Sequence, residues 1–203
     1  MGVKRVAVTG GLSCGKSSVC RFFKELGAHV VSADAIVHQL LSSNTNLGQE
    51  VVDLLGDDIL VNNQIDRAKV AKLVFKEPKL LEELEEILHP RVYEEIENEY
   101  RIWQSQKKGS LFIAEVPLLY ETEGEKLFDC VISVIAKREV SLKRFLETTD
   151  YDEEDFESRM REQMALQEKA LKANYVIMND GDLTELNEIV TELFNELTES
   201  ATS

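Results

Sequence analysis

The chain has 203 residues, which is enough for one well-buried α/β domain with small inserts. Its 23 basic and 38 acidic residues give a formal net charge of −15, which argues against non-specific binding to nucleic acid or an anionic membrane. The composition, 43% hydrophobic and 30% charged, is typical of a soluble globular protein, and no apolar run is long enough for a membrane span. The three cysteines have no metal-binding spacing, which indicates reduced thiols and a cytoplasmic protein.

The first predicted elements form a phosphate-binding loop. The apolar strand Val6-Ala7-Val8-Thr9 leads into Gly10–Ser17, which fits the pattern G-x-x-x-x-G-K-[ST], and residues 18–26 have helical spacing. Glycines let successive backbone N–H groups face a phosphate, and the helix N-terminus adds its positive dipole end. Lys16 can contact the β- and γ-phosphates, and the Ser17 hydroxyl can ligate Mg²⁺. The other predicted ATP contacts are Gly11, Ser13, Cys14, Gly15 and Ser18. A chance glycine loop is the disfavoured alternative, and the motif alone leaves kinase, GTPase and motor ATPase open.

Five apolar runs predict strands: Val3–Thr9, Ala28–Ser32, Ser110–Glu115, Cys130–Ile135 and Tyr175–Met178. Because helical sequence separates most of them, they predict a parallel sheet covered on both faces in a three-layer α/β fold. We expect a single domain over residues 1–203 with two inserts. The first, about 43–108, is helical, and His89-Pro90 is expected to interrupt its long helix between Pro78 and Gln106. The second, about 139–172, carries many charges, most of them expected to be solvated, and suits a lid that closes over ATP.

Several motifs that would indicate other phosphate-loop classes are missing from the sequence. A GTPase would need an N-K-x-D segment and an ATP-binding-cassette protein an L-S-G-G-Q-like signature, and neither is present. Motor ATPases of the AAA type usually end the second-motif strand with Asp and Glu, whereas here Ala114 precedes Glu115. The class favoured is therefore a small-molecule kinase.

An ordered series of motifs resembles the dephospho-coenzyme A kinase family from the first strand to about Leu186. Beside the loop, the series comprises Ala33-Asp34, Ile65-Asp66-Arg67, His89-Pro90, Val116-Pro117-Leu118-Leu119-Tyr120-Glu121, Arg144, Arg159 with Gln163, and Val176-Ile177-x-Asn179-x-Gly181. The resemblance implies a five-stranded parallel core, a helical acceptor-binding insert and a lid. It also implies that ATP phosphorylates the ribose 3′-hydroxyl of dephospho-coenzyme A, the final step of coenzyme A biosynthesis.

The resemblance assigns roles beside those of the phosphate loop. Asp34 follows a strand and is the candidate general base, with a helix N-cap as the alternative. Glu115 is expected to touch Mg²⁺ through water, or else to be an acid without a ligand. Arg144 is the candidate lid cation for the transferring phosphate, so Asp34, Lys16 and Arg144 form the expected catalytic set; the alternative for Arg144 is an ion pair with a lid acid.

Four further residues are expected to bind the substrates. Arg67, His89 and Leu118 are assigned to the acceptor, with a helix-surface charge as the alternative for Arg67 and a structural role at Pro90 for His89. Asn179 is expected to border the adenine, or else to be a turn residue in Asn179-Asp180-Gly181.

The chain departs from the family pattern at Ser32, at Ser13-Cys14, at Thr148 and at Lys172. Two rival functions are a nucleoside or nucleotide kinase and a nucleotide-dependent switch without a small-molecule acceptor. The expected partners are the small molecules ATP and dephospho-coenzyme A, without nucleic acid or membrane, and the oligomeric state is left open.

Overall fold

The computed structural model describes residues 4–42, 45–74, 76–106, 109, 111–161 and 163–200. The chain divides into two compact units, the first made of residues 1–32 and 100–203 and the second of residues 33–99. The strands are β1 (Lys4–Gly10), β2 (His29–Ser32), β3 (Leu60–Val61), β4 (Gln64–Ile65), β5 (Leu111–Glu115), β6 (Cys130–Ile135) and β7 (Tyr175–Met178). The helices are α1 (Lys16–Glu25), α2 (Ala33–Leu40), α3 (Asn46–Leu55), α4 (Arg67–Val74), α5 (Pro78–Gln106), α6 (Arg138–Thr148), α7 (Glu153–Arg161), α8 (Leu166–Lys172) and α9 (Leu183–Ser200).

The first unit contains a five-stranded sheet in the order β2-β5-β1-β6-β7, and every neighbouring pair of strands is parallel. The five predicted strands are confirmed to within one residue at the ends that the structure describes; Val3 and Ser110 lie outside the described residues. Apolar side chains at alternate positions, such as Val6 and Val8, join one buried cluster with α1 and α9, because successive side chains of a strand face opposite sides.

The parallel sheet brings five strand ends to one edge. β1 ends at Gly10, β2 at Ser32, β5 at Glu115, β6 at Ile135 and β7 at Met178. Ligands of open α/β sheets bind at the carboxyl ends of the strands. We therefore expect the phosphate ligand of the loop to bind at this edge.

Helix α5 contradicts the expectation that His89-Pro90 interrupts the long helix, because it runs unbroken from Pro78 to Gln106 with Pro90 inside it. A proline in a helix interior costs about 3 kcal/mol. Buried side chains at Leu84, Leu88, Val92 and Ile96 recur at every fourth position on both sides of the proline. Each contributes roughly 1.5–3 kcal/mol on burial, so their sum outweighs the local cost of Pro90.

The second unit is a helical body with one short hairpin. Apolar side chains of α3, α4 and α5, among them Val51, Val70 and Leu88, share a buried cluster. Strands β3 and β4 form an antiparallel pair joined by Asn62 and Asn63, which both have positive φ, 51° and 60°. Two positive φ values are the requirement of a tight hairpin turn, which Asn tolerates better than most residues. Sequence analysis did not predict this hairpin.

Candidate active site

The phosphate loop owes its shape to two glycines with positive φ, Gly10 at 142° and Gly15 at 93°. A Cβ on Gly10 would lie 2.0 Å from the carbonyl oxygen of Val134, so β6 packs directly on the loop backbone there. Gly15 is the residue before α1, and the helix therefore starts with free N–H groups at the end of the loop. This confirms the strand, loop and helix order expected for a phosphate-binding site.

Lys16 is folded over its own loop. Its Nζ atom donates to the carbonyl oxygen of Gly11 at 2.8 Å and approaches that of Gly10 at 3.4 Å. The ammonium group is thus held next to the loop, where an anion bound by the backbone N–H groups would meet a positive charge.

Ser17 and Glu115 form the pair that fits a magnesium ion. The Ser17 hydroxyl donates to Oε1 of Glu115 at 2.8 Å, which joins the start of α1 to the end of β5. Among the described residues there is no cluster of three or more His, Cys, Asp or Glu side chains that could hold a metal alone. Mg²⁺ in nucleotide sites usually takes only one or two protein oxygens and fills its shell with phosphate oxygens and water. The two oxygens at this sheet edge therefore suit Mg²⁺ bound together with a nucleotide.

Arg144 and Asn179 lie beside the loop, one on α6 and the other directly after β7. The Arg144 guanidinium donates to the carbonyl oxygen of Asn179 at 2.9 Å and approaches that of Gly181 at 3.4 Å. The Asn179 side chain donates to the carbonyl oxygen of Cys14 at 2.8 Å. The structure therefore brings Arg144, Asn179 and the phosphate loop together.

An open cavity of about 420 Å³ adjoins this group of residues. Its lining comes from α6 and from the turn after β7: Glu139, Val140, Lys143, Arg144, Glu147, Asp180 and Gly181. Asp180 fixes the turn against the start of α6, because its carboxylate accepts the backbone N–H of Lys137 at 2.7 Å. The cavity therefore adjoins residues that contact the phosphate loop.

The region expected to form the lid consists of α6, α7 and α8 and has a small core of its own. Phe145 and Phe156 are buried with ring centroids 5.4 Å apart, and Tyr151 stacks on Phe145 at 6.1 Å. Arg159, which belongs to the resemblance, has its guanidinium carbon 4.3 Å from the centre of the Tyr151 ring.

Lys169 is a buried exception among the lid charges, most of which are expected to be solvated. Its side chain is fully buried, and its Nζ atom donates to the carbonyl oxygen of Pro117 at 2.9 Å and pairs with Oε1 of Glu121 at 2.8 Å. The same carboxylate oxygen accepts the backbone N–H of Met164 at 2.8 Å. Lys169 and Glu121 thus fasten α8 to the segment after β5, which contains Leu118. A single lysine in a run of charges gave no sequence signal for this role.

All three cysteines are buried, Cys14 completely. The Cys14 sulfur lies 3.4 Å from the hydroxyl oxygen of Ser141 on α6. Burial raises the pKa of Cys20 well above its usual value and that of Cys130 to about 11, so both remain protonated thiols at neutral pH. Reactive cysteines are partly exposed to solvent, so the buried Cys14 thiol, packed against α6, does not fit such a role.

In the second unit, Asp34 is the second residue of α2 and has an exposed side chain. Within the described parts of the chain, no hydrogen bond or ion pair of its carboxylate is found. A helix cap would precede the helix and accept a backbone N–H, as Asp66 does before α4 with the N–H of Ala68 at 2.9 Å. The N-cap alternative for Asp34 is therefore not what the structure shows.

Arg67 is paired with a residue that sequence analysis did not single out. Its Nη1 atom lies 3.2 Å from Nδ1 of His38, and both side chains line a cavity of about 210 Å³ with Leu41, Ser42, Gln64 and Ile65. Because a guanidinium only donates, Nδ1 of His38 is the acceptor in this contact. His89 lies within α5, and burial lowers its pKa despite the opposing influence of Glu85. The structure thus brings Arg67 and His38 together at one cavity.

Comparison with known proteins identifies the family. A family model described as dephospho-CoA kinase matches residues 4–185. The dephospho-CoA kinase of Protochlamydia amoebophila is 56% identical over 196 residues, which are 96% of this chain and 97% of that protein. The chain belongs to the dephospho-CoA kinase family. The dephospho-CoA kinase of Chlamydia pneumoniae is 43% identical over 95% of this chain and 96% of that protein.

Solved structures agree with the dephospho-CoA kinase assignment. The dephospho-CoA kinase from Campylobacter jejuni is 25% identical with a TM-score of 0.72, covering 97% of this chain and 98% of that one. TT1252 from Thermus thermophilus is 28% identical with a TM-score of 0.82, covering 98% and 100%. Shikimate kinase from Acinetobacter baumannii is 17% identical with a TM-score of 0.52 over 96% and 94%, and it shares the fold. The predicted fold class and the predicted class of phosphate-transferring enzyme are confirmed. Among the helices that the structure describes, none is long and apolar enough to cross a bilayer.

The departures from the dephospho-CoA kinase pattern have specific surroundings in the structure. Ser32 lies in register with Glu115 on the neighbouring strand. An acidic residue at position 32 would therefore place a second negative charge beside the Glu115 carboxylate, and Ser32 avoids that repulsion. Thr148 donates its hydroxyl to the carbonyl oxygen of Arg144 at 2.7 Å, one turn earlier in α6. Lys172 holds its ammonium 5.3 Å from the centre of the Tyr120 ring.

Proposed function

We propose that this protein transfers the γ-phosphoryl group of ATP to the ribose 3′-hydroxyl of dephospho-CoA, giving CoA and ADP. The observation that carries the proposal is a complete phosphate loop, with the Ser17–Glu115 pair at its mouth, in a chain that matches the dephospho-CoA kinase family over residues 4–185. Phosphoryl transfer depends on positioning and charge neutralisation, and these are what the loop offers.

The proposed ATP site joins the phosphate loop to the cavity of about 420 Å³ beside α6. Backbone N–H groups of residues 11–18, with Lys16, hold the phosphates, and the base enters the cavity next to Asn179 and Gly181. Ser17 and Glu115 would hold Mg²⁺, Glu115 through water. The ion would neutralise charge on the phosphates during transfer.

Asp34 is the proposed general base. A hydroxyl must lose its proton as it attacks phosphorus, and a carboxylate within hydrogen-bond reach can accept it. The support is that Asp34 is exposed in the first turn of α2, two residues after β2 ends at Ser32, with no partner found among the described residues. Its carboxylate is therefore not already engaged as a cap or in an ion pair.

The acceptor site is proposed in the second unit, at the cavity that His38 and Arg67 line. Dephospho-CoA carries a pyrophosphate, and a guanidinium is the side chain best suited to planar, two-point contact with phosphate oxygens. The contact with His38 orients the Arg67 guanidinium without placing a carboxylate against it. His89 and Leu118 are proposed to contact other parts of the acceptor.

Arg144 is proposed to stabilise the transferring phosphate when residues 139–172 close over ATP. Its guanidinium is held by two carbonyl oxygens, which leaves its positive charge without a carboxylate partner at hydrogen-bond distance among the described residues. We propose that the chain forms one domain, with an acceptor-binding insert at about 43–108 and a lid at about 139–172. We also propose a cytoplasmic location, which the buried free cysteines support.

The function is tested by supplying ATP and Mg²⁺ with a panel of acceptors: dephospho-CoA, adenosine, other nucleosides and nucleoside monophosphates. We expect dephospho-CoA to be the best acceptor by a wide margin in kcat/KM, because its pantetheine arm supplies binding energy that positions the ribose. Equal values for adenosine would identify a nucleoside kinase instead. Hydrolysis of ATP without transfer to any acceptor would identify a switch.

The base is tested by Asp34→Asn, which keeps the shape of the side chain but cannot take the proton. We expect kcat to fall roughly 10²–10⁴-fold with little change in ATP affinity. Asp182→Asn is the matched control, since Asp182 caps α9 by accepting the N–H groups of Thr184 and Glu185, and Asn caps nearly as well. Normal turnover in Asp34→Asn would exclude Asp34 as the base.

A further inference from the structure

The Asn179 side chain is buried at the end of β7, with only 4% of its surface exposed. Its Nδ2 atom donates to the carbonyl oxygen of Cys14 at 2.8 Å, across 165 positions of sequence. Its Oδ1 atom lies 3.5 Å from Nη2 of Arg144. The Nη1 atom of the same guanidinium donates to the backbone carbonyl oxygen of Asn179. Both ends of the amide are therefore engaged inside the protein, and the orientation of the amide follows from a donor facing Cys14 and an acceptor facing Arg144.

The contact with Cys14 controls the direction of a backbone N–H in the phosphate loop. The peptide bond between Cys14 and Gly15 is planar and trans, because the chain has no cis peptide bonds among its described residues. In such a plane the Cys14 carbonyl and the Gly15 N–H point in opposite directions. When Asn179 holds the carbonyl on its side, the Gly15 N–H is turned away from Asn179.

The fit between Asn179 and the loop is close as well as polar. A Cβ on Gly15 would lie 2.2 Å from Nδ2 of Asn179, so the amide rests directly against the Gly15 backbone. Gly15 has a φ of 93°, a conformation that the loop must keep to place the next residue, Lys16, at the start of α1. The Asn179 amide therefore sterically hinders rotation of the Cys14–Gly15 peptide.

We propose that Asn179 is a positioning residue of the phosphate loop, which fixes the Gly15 N–H in the direction that binds a phosphate oxygen, rather than a residue that reads the base. The inference deepens the proposed ATP site and rests on it. Arg144 braces the Asn179 amide from α6, so the loop is held through two successive contacts. The phosphate-binding part of the site therefore depends on Asn179 even for a ligand without a base.

The test measures the affinity of three ligands by calorimetry in the presence of Mg²⁺: ATP, tripolyphosphate and adenosine. Asn179→Ala removes the donor to Cys14 without adding charge. We expect the affinities for ATP and for tripolyphosphate to fall together, each by roughly tenfold and up to a hundredfold, since the ligand must then order the Cys14–Gly15 peptide that Asn179 no longer holds. Adenosine affinity should change less than twofold.

Asn174→Ala is the matched control at the other end of β7. The Asn174 side chain accepts the backbone N–H of Val131 at 2.8 Å. Its truncation also removes one hydrogen bond at a strand end, but this hydrogen bond does not involve the phosphate loop. It should leave all three affinities unchanged. If Asn179→Ala is unfolded at the assay temperature, Asn179→Ser replaces it, because a serine hydroxyl is too short to reach Cys14, and the same result is expected.

Two results would overturn the inference, and they differ. If tripolyphosphate binds Asn179→Ala as it binds the wild type while adenosine affinity is lost, Asn179 reads the base. If the wild type binds neither ATP nor tripolyphosphate, the proposed ATP site itself is wrong, and the positioning role falls with it.

Discussion

Replacing Lys169 with methionine tests whether the buried ion pair of α8 stabilises the first unit. Lys169→Met keeps the length of the side chain but removes the ammonium that contacts Pro117 and Glu121. Removing one partner of a buried pair costs about 3–5 kcal/mol, because the other charge stays buried and unpaired. The Glu121 side chain is 19% exposed and keeps the Met164 N–H, so the lower end of that range applies.

A loss of about 3 kcal/mol corresponds to a fall in Tm of roughly 6–12 °C for a chain of this size. Thermal unfolding followed by circular dichroism measures it. Lys172→Met is the matched control, the same substitution one turn later in α8, where the lysine is exposed and its ammonium lies over the Tyr120 ring. An exposed cation–π contact is worth about 0.5–1 kcal/mol, so the control should lose no more than about 4 °C.

A double-mutant cycle separates the ion pair from packing. Glu121→Gln alone should destabilise the protein, and the double variant Lys169→Met with Glu121→Gln should be more stable than the sum of the two losses predicts, since no unpaired charge remains. Equal melting temperatures for Lys169→Met and Lys172→Met would refute the reasoning, because the buried lysine would then contribute no more than a surface one.

The remaining predictions concern the site and one histidine. Lys16→Met should lower kcat by at least about a hundredfold while circular dichroism shows an intact fold, and near-normal turnover would contradict its role at the transferring phosphate. Glu115→Gln should raise the Mg²⁺ concentration for half-maximal activity by roughly tenfold or more, and an unchanged Mg²⁺ titration would exclude Glu115 from the metal. Arg144→Ala should reduce kcat more than ATP affinity measured by calorimetry, and equal losses would make it a ground-state contact. Burial lowers the pKa of His89 below its usual 6.5, so the unfolded chain takes up this proton first and the free energy of unfolding falls as the pH drops through about 6.5. His89→Gln should flatten that part of a urea-unfolding series, and an unaltered slope would assign it to other groups.

The elements that the sequence predicted best are those whose causes are local. The five strands of the parallel sheet coincide with apolar runs, and the phosphate loop is a short motif whose glycines allow the positive φ values found there. The same locality explains the error at Pro90. The rule that a proline ends a helix weighs only neighbouring backbone atoms, whereas α5 is held by side chains buried on both sides of it. Burial depends on tertiary packing, which a local rule does not contain.

The residues of the candidate site also differ in whether their roles depend on local sequence or on tertiary packing. Lys16, Ser17 and Glu115 were predicted from positions in a motif and at a strand end, and the structure brings Ser17 and Glu115 into contact. Lys169 lies in a charged stretch that reads as solvated, and only its position against the segment after β5 makes it a buried partner of Glu121. His38 was passed over because its link to Arg67 joins residues 29 positions apart.

The contact of Asn179 with the phosphate loop would have been predictable if the order of the strands in the sheet had been known. The triplet Asn179-Asp180-Gly181 indicates a turn, and it does follow β7, but the turn signal says nothing about which partner the amide meets. That partner follows from the strand order, because β6 lies between β1 and β7 and the three strands end at one edge. The loop after β1 and the turn after β7 then converge over the end of β6, at Val134 and Ile135. Two polar segments that converge on a buried strand end must satisfy each other's backbone groups, and a side-chain amide, which both donates and accepts, is suited to that position.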